Sequence, residues 1–464
     1  LPGGSMSIRL LKDRRFWPLF WTQFSGAFND NLFKNGIAIL ITYRSYTVGG
    51  ISPEQMVSLC GGLMILPFFL FSAVSGQLAD KFRKPVLIRI IKIMEIFIMI
   101  LGMYGFITEN IYMLLTALFC MGVHSTLFGP LKYSIIPGIL NEDELVAGNA
   151  YIESGTFIAI LLGSIIGVQL ISVPGTGPQL ISGTIMAVAV TGLLFSLAIK
   201  PLDPAIPELK INLDPVTTTY EILKIAAEVK SVFYSIIAIS WFWFVGMALL
   251  SMIPVYCRYF LYGSESVITL FMVLFSVGIG AGSILCEKLS FKKVEPGLVP
   301  MGTIGMSLFA FDLFLSGQPL HQPPPALLNA LDFLKVPGGM RIAADLFLFS
   351  VSGGFFTVPL YTHLQQRSAA EIRSRVIAGN NIMNAIFMVV SSLFLASLYR
   401  FNLTFPQIFL VFAVMNIAVS AYIYVVIPEF LTGFAEWNRT HILGMIKDAA
   451  GKLSAIIKNM MPGG

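Results

Sequence analysis

Charge is scarce in this chain. Of its 464 residues only 12% are Asp, Glu, Lys or Arg, while 56% are hydrophobic and the mean hydropathy is +0.80. A soluble domain is about a quarter charged, so the shortage excludes a soluble globular enzyme and calls for lipid as solvent. Cysteine is also rare. Cys60, Cys120, Cys257 and Cys286 lie in or beside apolar runs with no CxxC spacing, which argues against a disulfide framework or a zinc site and reads as small buried hydrophobes. The four histidines, His124, His321, His363 and His441, form no HExxH. No Walker sequence is present: Gly451-Lys452-Leu453 lacks the upstream glycine spacing and the Ser/Thr, and no strand precedes Gly278-Ile279-Gly280. Direct use of ATP, a bound cofactor, a metal and a nucleic-acid partner are therefore not expected. An acyltransferase HxxxxD is missing too, His441 to Asp448 having the wrong spacing. Asn402-Leu403-Thr404 and Asn438-Arg439-Thr440 match a glycosylation sequon at chance frequency and are assigned nothing.

What is present is a series of long apolar runs. A helix needs about 20 mostly apolar residues to cross the hydrocarbon core. On that rule the spans are roughly 16–42, 57–79, 85–107, 111–136, 146–172 and 180–199, then 232–257, 267–289, 296–317, 341–363, 375–399 and 405–427. The expected organisation is an N-terminal segment 1–15, a six-helix half 16–199, a polar linker 200–231, a second six-helix half 232–427, and a tail 428–464. Leu1 to Ser5 reads as a tag remnant. The run from Phe16 to Ile41 is too long for a signal-peptide core and has no cleavage site. Pro201, Pro204, Pro207 and Pro215 punctuate the linker, and Thr217 to Lys230 suits a short surface helix.

Lysine and arginine set the orientation. One loop side carries Arg9, Lys12, Arg14, Arg15, Lys81, Arg83, Lys84, Lys200, Lys288, Lys292, Lys293, Arg367, Arg373 and Arg375, and the other only Arg44, Arg258, Lys335 and Arg400. Both termini are expected in the cytoplasm. In the tail, Lys447, Lys452 and Lys458 are spread among Ile442, Leu443, Met445, Ile446, Leu453, Ile456 and Ile457, an amphipathic pattern suited to the inner leaflet surface.

The two halves echo one another. Pro130-Leu131 followed by Val146-Ala147-Gly148-Asn149 is repeated as Pro359-Leu360 followed by Ile377-Ala378-Gly379-Asn380, with a spacing difference of two residues. In that register Glu153 falls opposite Asn384. Six spans repeated in parallel about a polar linker is the major facilitator architecture, and an all-α membrane fold of that kind is the expectation. Between spans two and three, Gly76-Gln77-Leu78-Ala79-Asp80-Lys81-Phe82-Arg83-Lys84 resembles the loop motif of that superfamily. The glycine allows close helix approach, and Asp80 can face a helix N-terminus or an arginine. Gly76, Asp80, Arg83 and Lys84 thus form a candidate conformational latch. A degraded copy, Ser283 to Lys288 with Glu287 at the aspartate position, follows span eight.

Span one carries Phe28-Asn29-Asp30-Asn31-Leu32-Phe33-Lys34-Asn35. A charge at mid-membrane costs about 3 kcal/mol on insertion scales. Asp30 and Lys34, one helical turn apart, either pair internally or line a polar cavity. The preferred reading is a binding face for a polar or zwitterionic group, made of Asp30, Asn31 and Lys34 with Asn29 and Asn35. Lys132 at the end of span four and Glu153 near the start of span five are expected at similar depth as a charge pair at the inner mouth of the cavity, either a gate, part of substrate handling, or purely structural. Lys92, Glu95, Asp312 and Asp345 are expected to be structural first, with Lys92 and Glu95 pairing locally and Asp345 also a candidate to face the cavity. Gly163 to Gly167 and Gly278 to Gly282 are GxxxG patterns, which permit close helix contact; in the major facilitator arrangement spans five and eight face each other across the halves, and a sliding contact or lateral opening is expected there.

Three stretches, Gly26 to Asn35, Gly129 to Pro137 and Asn149 to Thr156, together resemble the bacterial lysophospholipid transporter family, most closely members fused to an acyltransferase and an acyl-carrier-protein synthetase. The likeness covers nearly all the first half and is weaker in the second. The resemblance implies a multi-pass inner-membrane flippase and not an enzyme. It would move lysophosphatidylethanolamine and lysophosphatidylglycerol from the outer to the inner leaflet for re-acylation, as a monomer among membrane lipids, with those enzymes fused or associated. It maps Asp30 and Asn31 to headgroup positions, and Lys132 and Glu153 to inner charged ones. Stand-alone members carry an arginine within span seven. Here Gly246 to Tyr256 has none and the next is Arg258, which leaves Lys34 as the candidate phosphate charge. The competing readings are a major facilitator exporter of drugs or small solutes, coupled to protons through Asp30 or Glu153, and a membrane scaffold for the fused enzymes.

Overall fold

A computed structural model describes residues 10–44, 53–290, 297–317 and 324–442. Arg9, Lys292, Lys293, His321 and the tail lysines lie outside them, as does most of the expected amphipathic tail.

Among the described residues twelve helices have 19 residues or more. They are α1 (Trp17–Arg44), α2 (Pro53–Lys81), α3 (Lys84–Ile107), α4 (Ile111–Ser134), α5 (Leu145–Ile171), α6 (Gly177–Leu197), α7 (Lys230–Val255), α8 (Glu265–Leu289), α9 (Leu298–Ser316), α10 (Gly339–Arg367), α11 (Arg373–Arg400) and α12 (Phe405–Val426). Ten are long and apolar enough to cross a membrane by length and composition. The two that fall short, α1 and α3, are those that carry Asp30 and Lys34, and Arg89, Lys92 and Glu95. Boundaries follow local chemistry. Asn110 caps α4 by accepting from the backbone N–H groups of Tyr112 and Met113. Proline near the first turn of α3, α6 and α12 needs no hydrogen-bond partner there.

The helices alternate between two ends. One end gathers the starts of α1, α3, α5, α7, α9 and α11 and the ends of the others; it is the lysine- and arginine-rich side, called here the basic end. There Arg15 bridges Asp13 at 2.7 Å and Glu144 at 2.9 Å, tying the N-terminal turn to the α4–α5 connection. Between the halves, Pro215–Glu228 forms a helix capped by Asp214. Its apolar Ile222 packs with Ala73 of α2 and Ile382 of α11, so the linker lies across the seam between halves. Ahead of it, Gln77 and Asn212 exchange two hydrogen bonds of 3.0 and 2.8 Å.

Within each half, glycines set the close contacts. A methyl group on Gly163 would lie 2.3 Å from the backbone oxygen of Phe28, and one on Gly167 2.5 Å from that of Leu32. These residues of α5 therefore pack on α1. Likewise Gly278 and Gly282 of α8 meet the backbone of Phe347 and Val351 in α10. Spans five and eight do face each other across the halves, through Ser154 and Gly280 and through the Phe157 and Phe275 rings, but the GxxxG glycines are not what meets there. Each is used inside its own half, because the backbone approach they permit is already taken by α1 and α10. In the α5–α8 seam the Ser154 hydroxyl donates to the Gly280 carbonyl at 3.0 Å.

Candidate functional site

A cavity of about 280 Å³ lies between the halves at mid-depth. From the first half α1 brings Asp30 and Asn31, and α4 brings His124, Ser125 and Lys132. From the second half α11 brings Asn381 and Asn384. Ile65, Phe68, Ile160 and Met388 make other parts of the wall apolar.

Asp30 accepts a hydrogen bond of 2.6 Å from the Ser125 hydroxyl through Oδ2. Its Oδ1 is buried with no hydrogen-bond partner, an arrangement that normally costs stability unless something fills it. Asn31 lines the same cavity, its amide donating to the Ala27 carbonyl at 2.9 Å. Lys132 reaches the cavity from the face of α4 that also carries Ser125. Its ammonium lies 3.4 Å from Thr156 Oγ1 and 4.7 Å from the centre of the Tyr133 ring.

Other residues expected in the site are placed elsewhere. Asn29 is fully buried and points away from the cavity, donating to Glu95 at 2.9 Å and to the Ile185 carbonyl at 3.2 Å. Asn35 donates to the Asn31 carbonyl and to Ser164 Oγ at 3.0 Å, joining α1 to α5. Lys34 is one turn beyond Asp30 and is not among the cavity-lining residues. For Asn29 the reason is angular: successive helical residues diverge by about 100°, so the consecutive Asn29, Asp30 and Asn31 cannot all share one face. Lys132, not Lys34, is the ammonium that the cavity holds.

Lys92 and Glu95 do pair, at 2.7 Å and with both side chains fully buried. His124 Nε2 lies 3.3 Å from the same carboxylate, and Lys92 Nζ lies 5.5 Å from the centre of the Phe128 ring. This cluster closes the charges of α3 on themselves behind the cavity wall. In the second half Arg341 Nε donates to Asp312 at 3.0 Å, with Asp345 buried a turn further along α10. Arg341 opens the tenth span and belongs among the few cations of the far end.

The floor of the cavity separates it from the basic end. Tyr133 of α4 stacks on Tyr361 of α10 with ring centres 4.4 Å apart, and Trp243 Nε1 donates to the Tyr361 hydroxyl at 3.5 Å. The Tyr133 hydroxyl donates to Glu153. Lys132 and Glu153 make no direct salt bridge; one carboxylate oxygen of Glu153 instead accepts from the Tyr133 hydroxyl. Beneath the stack, Asn149 and Gln365 exchange hydrogen bonds of 2.7 and 3.0 Å across the halves, and Gln365 also donates to the Tyr133 carbonyl at 3.0 Å.

At the basic end proper, fully buried Asp80 accepts from the Ser374 backbone N–H and from Arg375 Nε, both at 3.1 Å. Ser374 lies in the first turn of α11, so the carboxylate meets both a helix N-terminus and an arginine. A methyl on Gly76 would lie 2.7 Å from Ala378 Cβ, which shows how closely α2 and α11 approach. Lys84 is buried next to this lock, whereas Arg83 makes only an exposed contact with Asp203 at 3.4 Å.

His124, Ser125, Thr156, Trp243, Tyr361 and Asn381 line the cavity without having been singled out from the sequence, as does Asn384, which the sequence marked only as the repeat counterpart of Glu153. The adjacent polar pair His124-Ser125 and the cluster Asn380, Asn381 and Asn384, both inside apolar runs, were the signals available.

Residues 16–371 match the Major Facilitator Superfamily. Curated relatives named lysophospholipid transporter LplT are among the proteins similar to this chain. That of Cronobacter sakazakii is 26% identical over 388 residues, covering 82% of this chain and 85% of the relative. That of Enterobacter sp. is 26% identical over 366 residues, covering 78% and 81%. Among solved structures, the Escherichia coli fucose:proton symporter FucP aligns with TM-score 0.64 at 13% identity over 89% of this chain and 98% of its own. A bacterial homologue of the iron transporter ferroportin in an outward-facing state aligns with TM-score 0.62 at 14% identity, over 91% and 99%. With a match across most of its length and the helix arrangement of such transporters, the chain belongs to the major facilitator superfamily.

Proposed function

We propose that this protein carries lysophospholipids across a bacterial inner membrane by alternating access. The relatives named LplT supply the cargo class. The observation that carries the reading is one cavity holding an unpartnered, buried carboxylate oxygen of Asp30 together with the ammonium of Lys132. A phosphoethanolamine headgroup offers the complementary pair, its ammonium to Asp30 and its phosphate to Lys132. Apolar walls at Ile65, Phe68, Ile160 and Met388 suit the start of an acyl chain.

The lysine and arginine bias makes the basic end cytoplasmic. With that end closed by Asp80, Asn149 and the tyrosine stack, the cavity faces outward, the state that loads cargo from the outer leaflet. Delivery to the inner leaflet places it before re-acylating enzymes, an acyltransferase and an acyl-acyl-carrier-protein synthetase, fused or associated. The transporter works as a monomer.

The test is flux in reconstituted vesicles, comparing lysophosphatidylethanolamine, lysophosphatidylglycerol and soluble solutes with and without ion gradients. Leaflet-selective movement of the lysolipids is expected, with Asp30→Asn impairing the amine-bearing lipid most. Flux of soluble cargo only, driven by a pH gradient, would mark a drug or solute exporter instead. Unchanged lysolipid flux in Asp30→Ala at equal expression removes the assigned binding face.

A further inference from the structure

The cavity has a second wall that no charge marks. Asn381 and Asn384 enter it from α11, in the half opposite Asp30 and Lys132. Asn384 is 8% exposed, and its side-chain oxygen accepts a hydrogen bond of 2.8 Å from the fully buried Ser240 of α7. With that oxygen engaged inside its own half, the two N–H donors are what Asn384 presents to the cavity. Asn381 reaches across the seam instead. A methyl group on Gly129 of α4 would lie 2.6 Å from Asn381 Nδ2, so the glycine makes the notch that admits this amide. Lys132 stands less than one turn further along the same helix.

Two amides and one lysine around one cavity have a specific chemical meaning. A phosphodiester carries a single negative charge but several strong acceptor sites, and one ammonium cannot satisfy them all. Neutral amide donors add hydrogen bonds without adding charge, so they suit a phosphate already neutralised by a single lysine. They are indifferent to whether the headgroup ends in an amine or in glycerol.

We infer that Asn381 and Asn384 complete the headgroup site from the second half, donating to the phosphodiester oxygens of the cargo while Lys132 meets their charge. The inference rests on the lysophospholipid reading above and assigns the phosphate where α7 offers no arginine. It makes the headgroup a bridge between the two halves. Asp30 then decides which headgroup is favoured, and the α11 amides decide that it must be a phosphate ester at all.

The test measures binding to the full purified chain of lysophosphatidylethanolamine, lysophosphatidylglycerol and a monoacylglycerol of the same chain length, which lacks phosphate. Asn384→Ala and Asn381→Ala are expected to weaken both phospholipids by similar factors, roughly 10- to 100-fold for a hydrogen bond to a charged group, while the monoacylglycerol is unaffected. Asn384→Asp should weaken them further by setting a carboxylate against the phosphate. Ser240→Ala, which leaves the cavity wall in place but frees the amide to turn, should give a smaller loss of the same kind and serves if Asn384→Ala does not fold. Equal losses for all three lipids would mean a structural role and overturn the inference. So would phospholipid affinity retained in both alanine variants while Asp30→Asn still loses the amine-bearing lipid, a result that leaves the lipid reading standing. A wild-type protein that binds neither phospholipid overturns both.

Discussion

Asp80→Asn should shift the transporter from the closed-basic-end state toward its opposite. Asp80 is fully buried and receives two hydrogen bonds from the other half, from Ser374 N–H and Arg375 Nε at 3.1 Å. Asparagine keeps the shape and one acceptor oxygen but removes the charge. A hydrogen bond between charged groups is worth about 1.5–3 kcal/mol, and a charge at a helix N-terminus about 0.3–1 kcal/mol. The retained acceptor offsets part of this, so a net weakening of about 2 kcal/mol is expected, roughly 30-fold in the ratio of the two states. Spin labels at Phe82 and Glu371, exposed positions of opposite halves at the basic end, report it after the four cysteines are replaced. The variant should show a longer-distance population that the parent lacks. Asp80→Asn combined with Arg375→Gln should add less than the sum of the two, since they remove the same bond. Distances unchanged from the parent in a folded Asp80→Asn protein would refute the claim that this contact holds the basic end shut.

Gly163→Ala should destabilise the protein by about 1–3 kcal/mol through overpacking, because its methyl would lie 2.3 Å from a backbone oxygen. Gly61→Ala, where nothing lies within 4 Å, should be neutral or stabilising, and melting in detergent compares the two. Glu95→Gln strands Lys92 without its buried partner and should cost about 3–5 kcal/mol, seen as lost monodisperse protein in size exclusion, with Lys92→Met/Glu95→Gln recovering part of it. Gln77→Ala removes the two hydrogen bonds to Asn212 and should speed protease cleavage in residues 200–214. Hydrogen bonding to Arg15 holds the Asp13 carboxyl below its usual range. Its contribution is therefore present above the unfolded value near ~3.9 and lost as the pH falls through the folded one. Arg15→Gln should cost less than about 1 kcal/mol of stability at pH 7 for so solvent-accessible a pair, seen as a slightly lower melting temperature, and the difference should close in strong acid.

Hydropathy and local signals were enough to place most helices, since a span is a property of about 20 consecutive residues and needs no knowledge of neighbours. The same holds for the loop glycine and aspartate, Gly76 and Asp80, and for Asp30, whose charge at mid-span stands out wherever it points. The partners were another matter. Asn29, Asp30 and Asn31 are adjacent in sequence, yet only the packing of α1 against α3, α5 and α6 decides that Asn29 serves Glu95 while the other two face the cavity. Lys132 and Glu153 looked like a pair because both are charged and similarly deep, but they make no direct salt bridge and one carboxylate oxygen accepts from the Tyr133 hydroxyl. The neutral amides of α11 carried no charge to draw notice and became cavity residues only when the second half was set opposite the first. The sequence by itself determined which segments enter the membrane and that some must hide charge. Which charges meet, and which remain for cargo, was decided by tertiary structure, because a helix fixes the angle between its own side chains but not the neighbour that each one finds.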